Sequence, residues 1–206
     1  MSVVSDFISA LADPQKLLRH YYVSIAGGGG AAPANGQATV WRFQVSDRLI
    51  EAQGFTSGIS GLRGKTKKRP MVGVMLLPNL PAGAPGDDQF DAYYIPMVQT
   101  ADVAANSSQY VLPTTGPVTT MITSQLSGCS FGVGSDATGA TLVSHIQPNQ
   151  ALAAGQGKAG MDARRADLAN VMGGSFHQMK GAFKAGDQYE HKATVIGCCK
   201  SGKWKF

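Results

Sequence analysis

Cys129 stands in the run Leu126-Ser127-Gly128-Cys129-Ser130-Phe131, and His145 follows it after a Gly-rich turn. A cysteine and a histidine held within reach of one another are the minimum equipment for thiolate acyl chemistry. A thiol with a pKa of about 8.5 is only a few per cent thiolate at neutral pH. An adjacent imidazole takes the proton and, as imidazolium, can return it to a departing amine. Gly128, next to the nucleophile, leaves room for a substrate carbonyl, and its amide and that of Cys129 are suited to an oxyanion hole. The imidazole also needs an orienting acceptor on its second nitrogen. Thr123 and Asp136 are the local candidates.

Two strands joined by the turn 134–139 would position these groups. A hairpin symmetric about Ala137 sets 129 and 145 directly opposite, each eight residues from its centre. Opposed residues share a face, with Cβ atoms about 4.5–5.5 Å apart, and a single inserted residue would send them to opposite faces. His20, His177 and His191 have no cysteine at such a spacing and read as ordinary polar residues. Cys198 and Cys199 are neighbours, so on a strand they face opposite ways and do not pair. They lack a second ligand pair for a metal and read as small residues of the core.

Around this stretch the periodicity is mostly that of strands. Strands are expected near 20–26, 38–46, 71–77, 92–98, 118–124, 128–133, 140–147, 192–199 and 203–206. Val4, Phe7, Ile8 and Leu11 lie at helical spacing over 3–12, stopped by Asp13-Pro14. A second helix is expected over 161–172, with Leu168, Val171 and Met172 inward, Arg164 and Arg165 outward, and Gly173-Gly174 at its end. Strands outnumber helices and do not alternate with them. The expected fold is α+β, a two-layer β-sandwich of mixed sheets with peripheral helices and long loops, forming a single catalytic domain over 1–206.

Three motifs fail on their context. Gly27 to Gly30 precede a strand pattern rather than a helix, so they read as a connector and not a phosphate loop. Gly64-Lys65-Thr66 has Ile59 where a Walker loop needs its first glycine. Gly132-x-Gly134-x-x-Ala137 lies between two strands, as a hairpin turn does, and not between a strand and a helix.

Net charge is +5, and five of the 18 basic residues fall between Arg63 and Arg69. No aromatics interleave with them as stacking on bases would need, so the run reads as a solvated loop, and no nucleic acid is required as a partner. Gly and Pro, 26 and 10 residues, fit a turn-rich globular chain rather than a low-complexity one. The odd cysteine count implies no disulfide framework. No apolar run is long enough to span a membrane, and no basic region precedes an apolar stretch at the N-terminus as in a Sec signal peptide. Asn106-Ser107-Ser108 matches a glycosylation acceptor and, with no secretory signal, reads as a chance match.

The stretch Thr123-Ser124-Gln125-Leu126-Ser127-Gly128-Cys129-Ser130-Phe131, the Gly-rich turn and Val143-Ser144-His145-Ile146-Gln147-Pro148 resemble the catalytic region of the glutamine-deamidating toxins typified by cytotoxic necrotizing factor and Burkholderia lethal factor. The likeness is greater to the lethal factor type, in which a Leu-Ser-Gly-Cys run precedes a His-Ile pair and a Thr stands six residues before the Cys. Thr123 occupies that place. The resemblance covers about 30 of 206 residues. It implies Cys129 as nucleophile, His145 as general base and acid, Thr123 as the group that orients the histidine, and a β-sandwich of mixed sheets surrounded by helices. It also implies hydrolysis of a Gln carboxamide of a target protein to Glu, with no metal or organic cofactor. In the wider group the targets include Rho-family GTPases and a translation-initiation helicase. A secreted effector acting as a monomer in a host cytosol is therefore expected, with the bacterial cytoplasm as the alternative, since a chemoreceptor deamidase shares the same Cys–His logic. The Cys-to-His turn is longer here than in the lethal factor type, which leaves the target open. The rival readings are another Cys–His acyl-transfer enzyme, a protease or transglutaminase-like, and a non-catalytic β-rich binding module with a buried cysteine.

Overall fold

A computed structural model describes residues 3–13, 17, 20–26, 36–46, 71–77, 82–99, 109–124, 129–147, 166, 168–173, 176–180 and 194–206. The expected strand-rich sandwich is what these residues form. In chain order they give helix α1 (Val3–Ala10), then β1 (Tyr22–Ala26), β2 (Thr39–Ser46), β3 (Met71–Leu76), β4 (Gln89–Ile95), β5 (Val98–Gln99) and β6 (Gln109–Leu112). There follow β7 (Thr120–Thr123), β8 (Ser130–Ser135), β9 (Thr141–Gln147), β10 (Phe176–Lys180), β11 (Ile196–Lys200) and β12 (Lys203–Lys205). Four-residue β6 and the polar β10 were not expected from the sequence, and the strand expected over 92–98 is divided into β4 and β5 at Pro96-Met97. The basic run 63–69, the glycines 27–30, Asn106, Arg164, Arg165 and His191 lie outside the described residues.

One sheet has seven strands in the order β1-β3-β2-β4-β7-β11-β12, and the other runs β10-β8-β9-β5 with β6 also on β9. Both are mixed: β1 with β3, β4 with β7 and β5 with β9 are parallel, the remaining pairs antiparallel. Alternation along each strand sorts the apolar residues into separate layers. On β4, Phe90, Ala92 and Tyr94 join Phe7, Ala10 and Leu17 in a cluster between the large sheet and α1. Tyr93 and Ile95 point the other way, to Tyr110, Leu112, Met121, Phe131, Val143 and Val195 between the two sheets. Leu142 and Ile146, on the outer face of the small sheet, pack under Leu168, Val171 and Met172 of the helical residues 168–172. The layers therefore run helix, sheet, sheet, helix. β7 is buried at all four positions because it has a layer on either side.

α1 ends as its sequence predicts. Leu11 and Asp13 donate to the carbonyls of Ile8 and Ala10, tight turns that close the helix. On the far side, Gly132 allows the helical residues to sit directly on β8. A Cβ there would come within 2.7 Å of Met172 Sδ and 2.8 Å of Leu168 Cδ2. Gly173 follows those residues with φ of 58°, the left-handed conformation that terminates a helix.

Candidate active site

The hairpin that carries the candidate pair is centred on Thr138, not Ala137. Asp136 Oδ1 accepts from the Thr138 amide at 2.8 Å, the Thr138 hydroxyl at 2.6 Å and the Ala140 amide at 2.9 Å. Asp136 N–H donates to Ala140 O at 3.0 Å, which sets the pairing that follows. The register is Phe131 with His145 and Ser130 with Ile146, so His145 faces Phe131 and not Cys129. The difference is two residues, an even number, and the face is preserved. Cys129 immediately precedes β8 and belongs to the same inter-sheet cluster as Phe131. The pairing ends at Ser130 with Ile146; its register, continued by one residue, would make Cys129 the diagonal neighbour of His145, with the two backbones about 7–8 Å apart.

Both groups are deep. Cys129 is 4% exposed and His145 0%. The His145 imidazole has one side-chain partner, Ser124 Oγ, at 3.2 Å from Nδ1, while Nε2 has no hydrogen-bond partner. Desolvation in this layer pushes the His145 pKa from its ordinary 6.5 down to about 4, against a smaller upward pull from the Ile95 backbone. The ring is therefore neutral at pH 7, able to accept a proton but not to hold a standing ion pair with a thiolate.

Ser124 is there because two chain segments leave the large sheet for the small one at the same corner. β4 and β7 run parallel, pairing Ile95 with Thr123. Beyond Ile95 the chain crosses to β5, and beyond Thr123 it crosses to β8. Ser124 N–H donates to Ile95 O at 3.2 Å, fixing the second crossing to the first. Thr123 is fully buried at this corner, but its hydroxyl accepts from Val195 N–H at 3.1 Å, while its own N–H donates to Val195 O at 3.0 Å. Burial raises the Tyr94 phenol and the nearby Ser124 hydroxyl works against that, although Tyr94 Oη itself lacks a partner in bonding geometry.

Asp136, weighed in the sequence as an alternative orienting group, is occupied at the turn, at the other end of β9 from His145. Of the oxyanion donors, Cys129 is described and Gly128 lies outside the described residues. Among the remaining histidines His20 is exposed, and of His177 only the backbone, in β10, is described. All three cysteines are outside any disulfide. Cys198 is buried and its thiol is pushed up by desolvation, and Cys199 donates to Thr114 O at 3.7 Å. Among the described residues no group of three or more His, Cys, Asp and Glu is placed to hold a metal ion, and no helix is long and apolar enough to cross a membrane. No family model matches the chain and no curated protein matches it in sequence.

Proposed function

We propose that the chain is a protein-glutamine deamidase with a Cys–His thiol mechanism, working as an effector or toxin on a target protein with an exposed Gln. The observation that carries this reading is that Cys129 lies in the inter-sheet cluster two residues before Phe131, the residue that pairs with His145, with Nδ1 of His145 hydrogen-bonded and Nε2 without a partner. Depth supports a side-chain substrate over an extended peptide. Cys129 at 4% exposed and a wholly buried His145 suit a slender group entering end-on, as a Gln carboxamide does. A sandwich of mixed sheets between helices also agrees with the resemblance of residues 123–148 to the deamidating toxins.

In this mechanism Cys129 Sγ attacks the carboxamide carbon as His145 Nε2 takes the thiol proton, so that thiolate forms only as it is used. The Cys129 amide, with Gly128 from the sequence motif, stabilises the oxyanion. His145 returns the proton to nitrogen, ammonia leaves and the acyl group stays on sulfur. Water, deprotonated by the same imidazole, hydrolyses the thioester to Glu and frees the thiol.

The test is intact-mass analysis, with ammonia assay, of a Rho-family GTPase and a translation-initiation helicase after incubation with the protein. A Gln-to-Glu mass gain that Cys129→Ser removes is the expected result, and cleaved fragments would replace deamidation by proteolysis. One observation favours a different reading, a non-catalytic β-rich module: Cys129 packs within an apolar cluster. Alkylation of Cys129 no faster in the wild type than in His145→Ala, with no mass change in either target, would decide for that module.

A further inference from the structure

Thr123 and Ser124 are adjacent hydroxyl residues at the end of β7, and the structure gives them different work. The Thr123 hydroxyl accepts from the Val195 amide, locking β7 to the segment leading into β11. Ser124, 8% exposed, reaches the other sheet, and its Oγ lies 3.2 Å from His145 Nδ1. The Ile95 carbonyl, held to Ser124 N–H at 3.2 Å, is a pure acceptor at the same corner. Nδ1 has a partner and Nε2 has none, so a proton on Nδ1 is the arrangement that leaves no buried ring N–H without an acceptor.

We infer that Ser124, rather than Thr123, is the positioning residue for His145: its hydroxyl accepts the Nδ1–H and keeps Nε2 as the lone-pair nitrogen. The inference rests on the Cys–His reading for its catalytic meaning, since only the lone pair on Nε2 can take the thiol proton. The tautomer itself can be measured without any substrate.

The experiment is nitrogen NMR of the imidazoles in protein labelled at histidine, with His145 assigned by the loss of its signals in His145→Gln. The wild type is expected to show the Nδ1–H form. Ser124→Ala shifts His145 toward the Nε2–H form and slows alkylation of Cys129 by iodoacetamide roughly 10- to 100-fold, and Ser124→Thr restores both. Thr123→Val lowers stability but leaves the tautomer as it was. Should the alanine variant not fold, Ser124→Cys, close in volume but a weak acceptor, is read in its place. A tautomer unchanged in Ser124→Ala or, in its place, Ser124→Cys, or switched in Thr123→Val, would overturn the assignment. Failure to deamidate any target, with the tautomer switching as expected, would sink the deamidase reading and leave the positioning role intact.

Discussion

Two buried polar side chains, Arg42 and His145, lie along one face of β4, and they are treated differently. At Asp91, Arg42 is 3% exposed and fully served: Nε and Nη2 bond the carboxylate at 2.7 and 2.9 Å, Nη2 also reaches Gly83 O at 2.8 Å, and Nη1 reaches Ala84 O at 3.4 Å. At Ile95, His145 has Nδ1 bonded and Nε2 with nothing. Each orphan atom costs about 1–3 kcal/mol, and the Nε2 of His145 shares that state with Tyr110 Oη, Ser130 Oγ and Ser144 Oγ. The proposed reaction would give the His145 nitrogen a use that the others do not have.

The contrast is sharpest in a cross of two variants. Cys129→Ser should lower the proposed deamidation by at least about 10³-fold per folded molecule. Arg42→Lys should instead lose the bidentate pair and unfold at lower urea, with turnover per folded molecule intact. Loss of turnover in Arg42→Lys at full folding would erase the distinction between the two places.

The next effect is one of pH. An unfolded His145 takes up its proton near 6.5 and the folded one only near 4. The stability it supports is therefore complete above about pH 6.5 and lost as pH falls toward 4. At about 1.4 kcal/mol for each pH unit the loss approaches roughly 3 kcal/mol, and His145→Gln should flatten that part of a urea-midpoint profile. The acid limb of kcat/KM should likewise fall nearer pH 4 than 6.5, and a limb near 6.5 would show that the ring titrates as an ordinary histidine.

The smallest expected effect comes from the layer outside both places. Gly132→Ala forces Met172 and Leu168 away from β8 and should cost about 1–3 kcal/mol, read as a lower melting temperature with the acid limb unmoved. A moved limb would mean that the outer layer sets the ring environment too.

Alternation and turn chemistry made much of the sandwich legible in the sequence. β2 reads plainly because Val40, Arg42 and Gln44 face one way and Trp41, Phe43 and Val45 the other. β6 did not, because four residues carry little period, and β10 did not because Phe176-His177-Gln178-Met179-Lys180 lacks β-branched residues and is bulged against β8. Cys129 and His145 were singled out by type and spacing with their register misplaced by two, and Thr123, expected to orient the histidine, has its hydroxyl on the Val195 amide instead. The turn is set by three bonds to Asp136 Oδ1, which a symmetric count ignores. Ser124 carried no signal at all. Its place beside His145 depends on the parallel pairing of β4 with β7 and on two crossings between sheets, relations that no local pattern encodes.

The bond between Val195 and Thr123 spans 72 residues of sequence. Neither half of the sandwich can assemble that corner alone, since it draws on β4, β7 and β9 and on the segment leading into β11. Refolding from denaturant should therefore restore far-ultraviolet dichroism before it restores the shielding of the Cys129 thiol, because distant pairings come late. Thiol protection would then report completion of the whole chain, and a truncated or nicked molecule could look folded while its sulfur stayed open to oxidation.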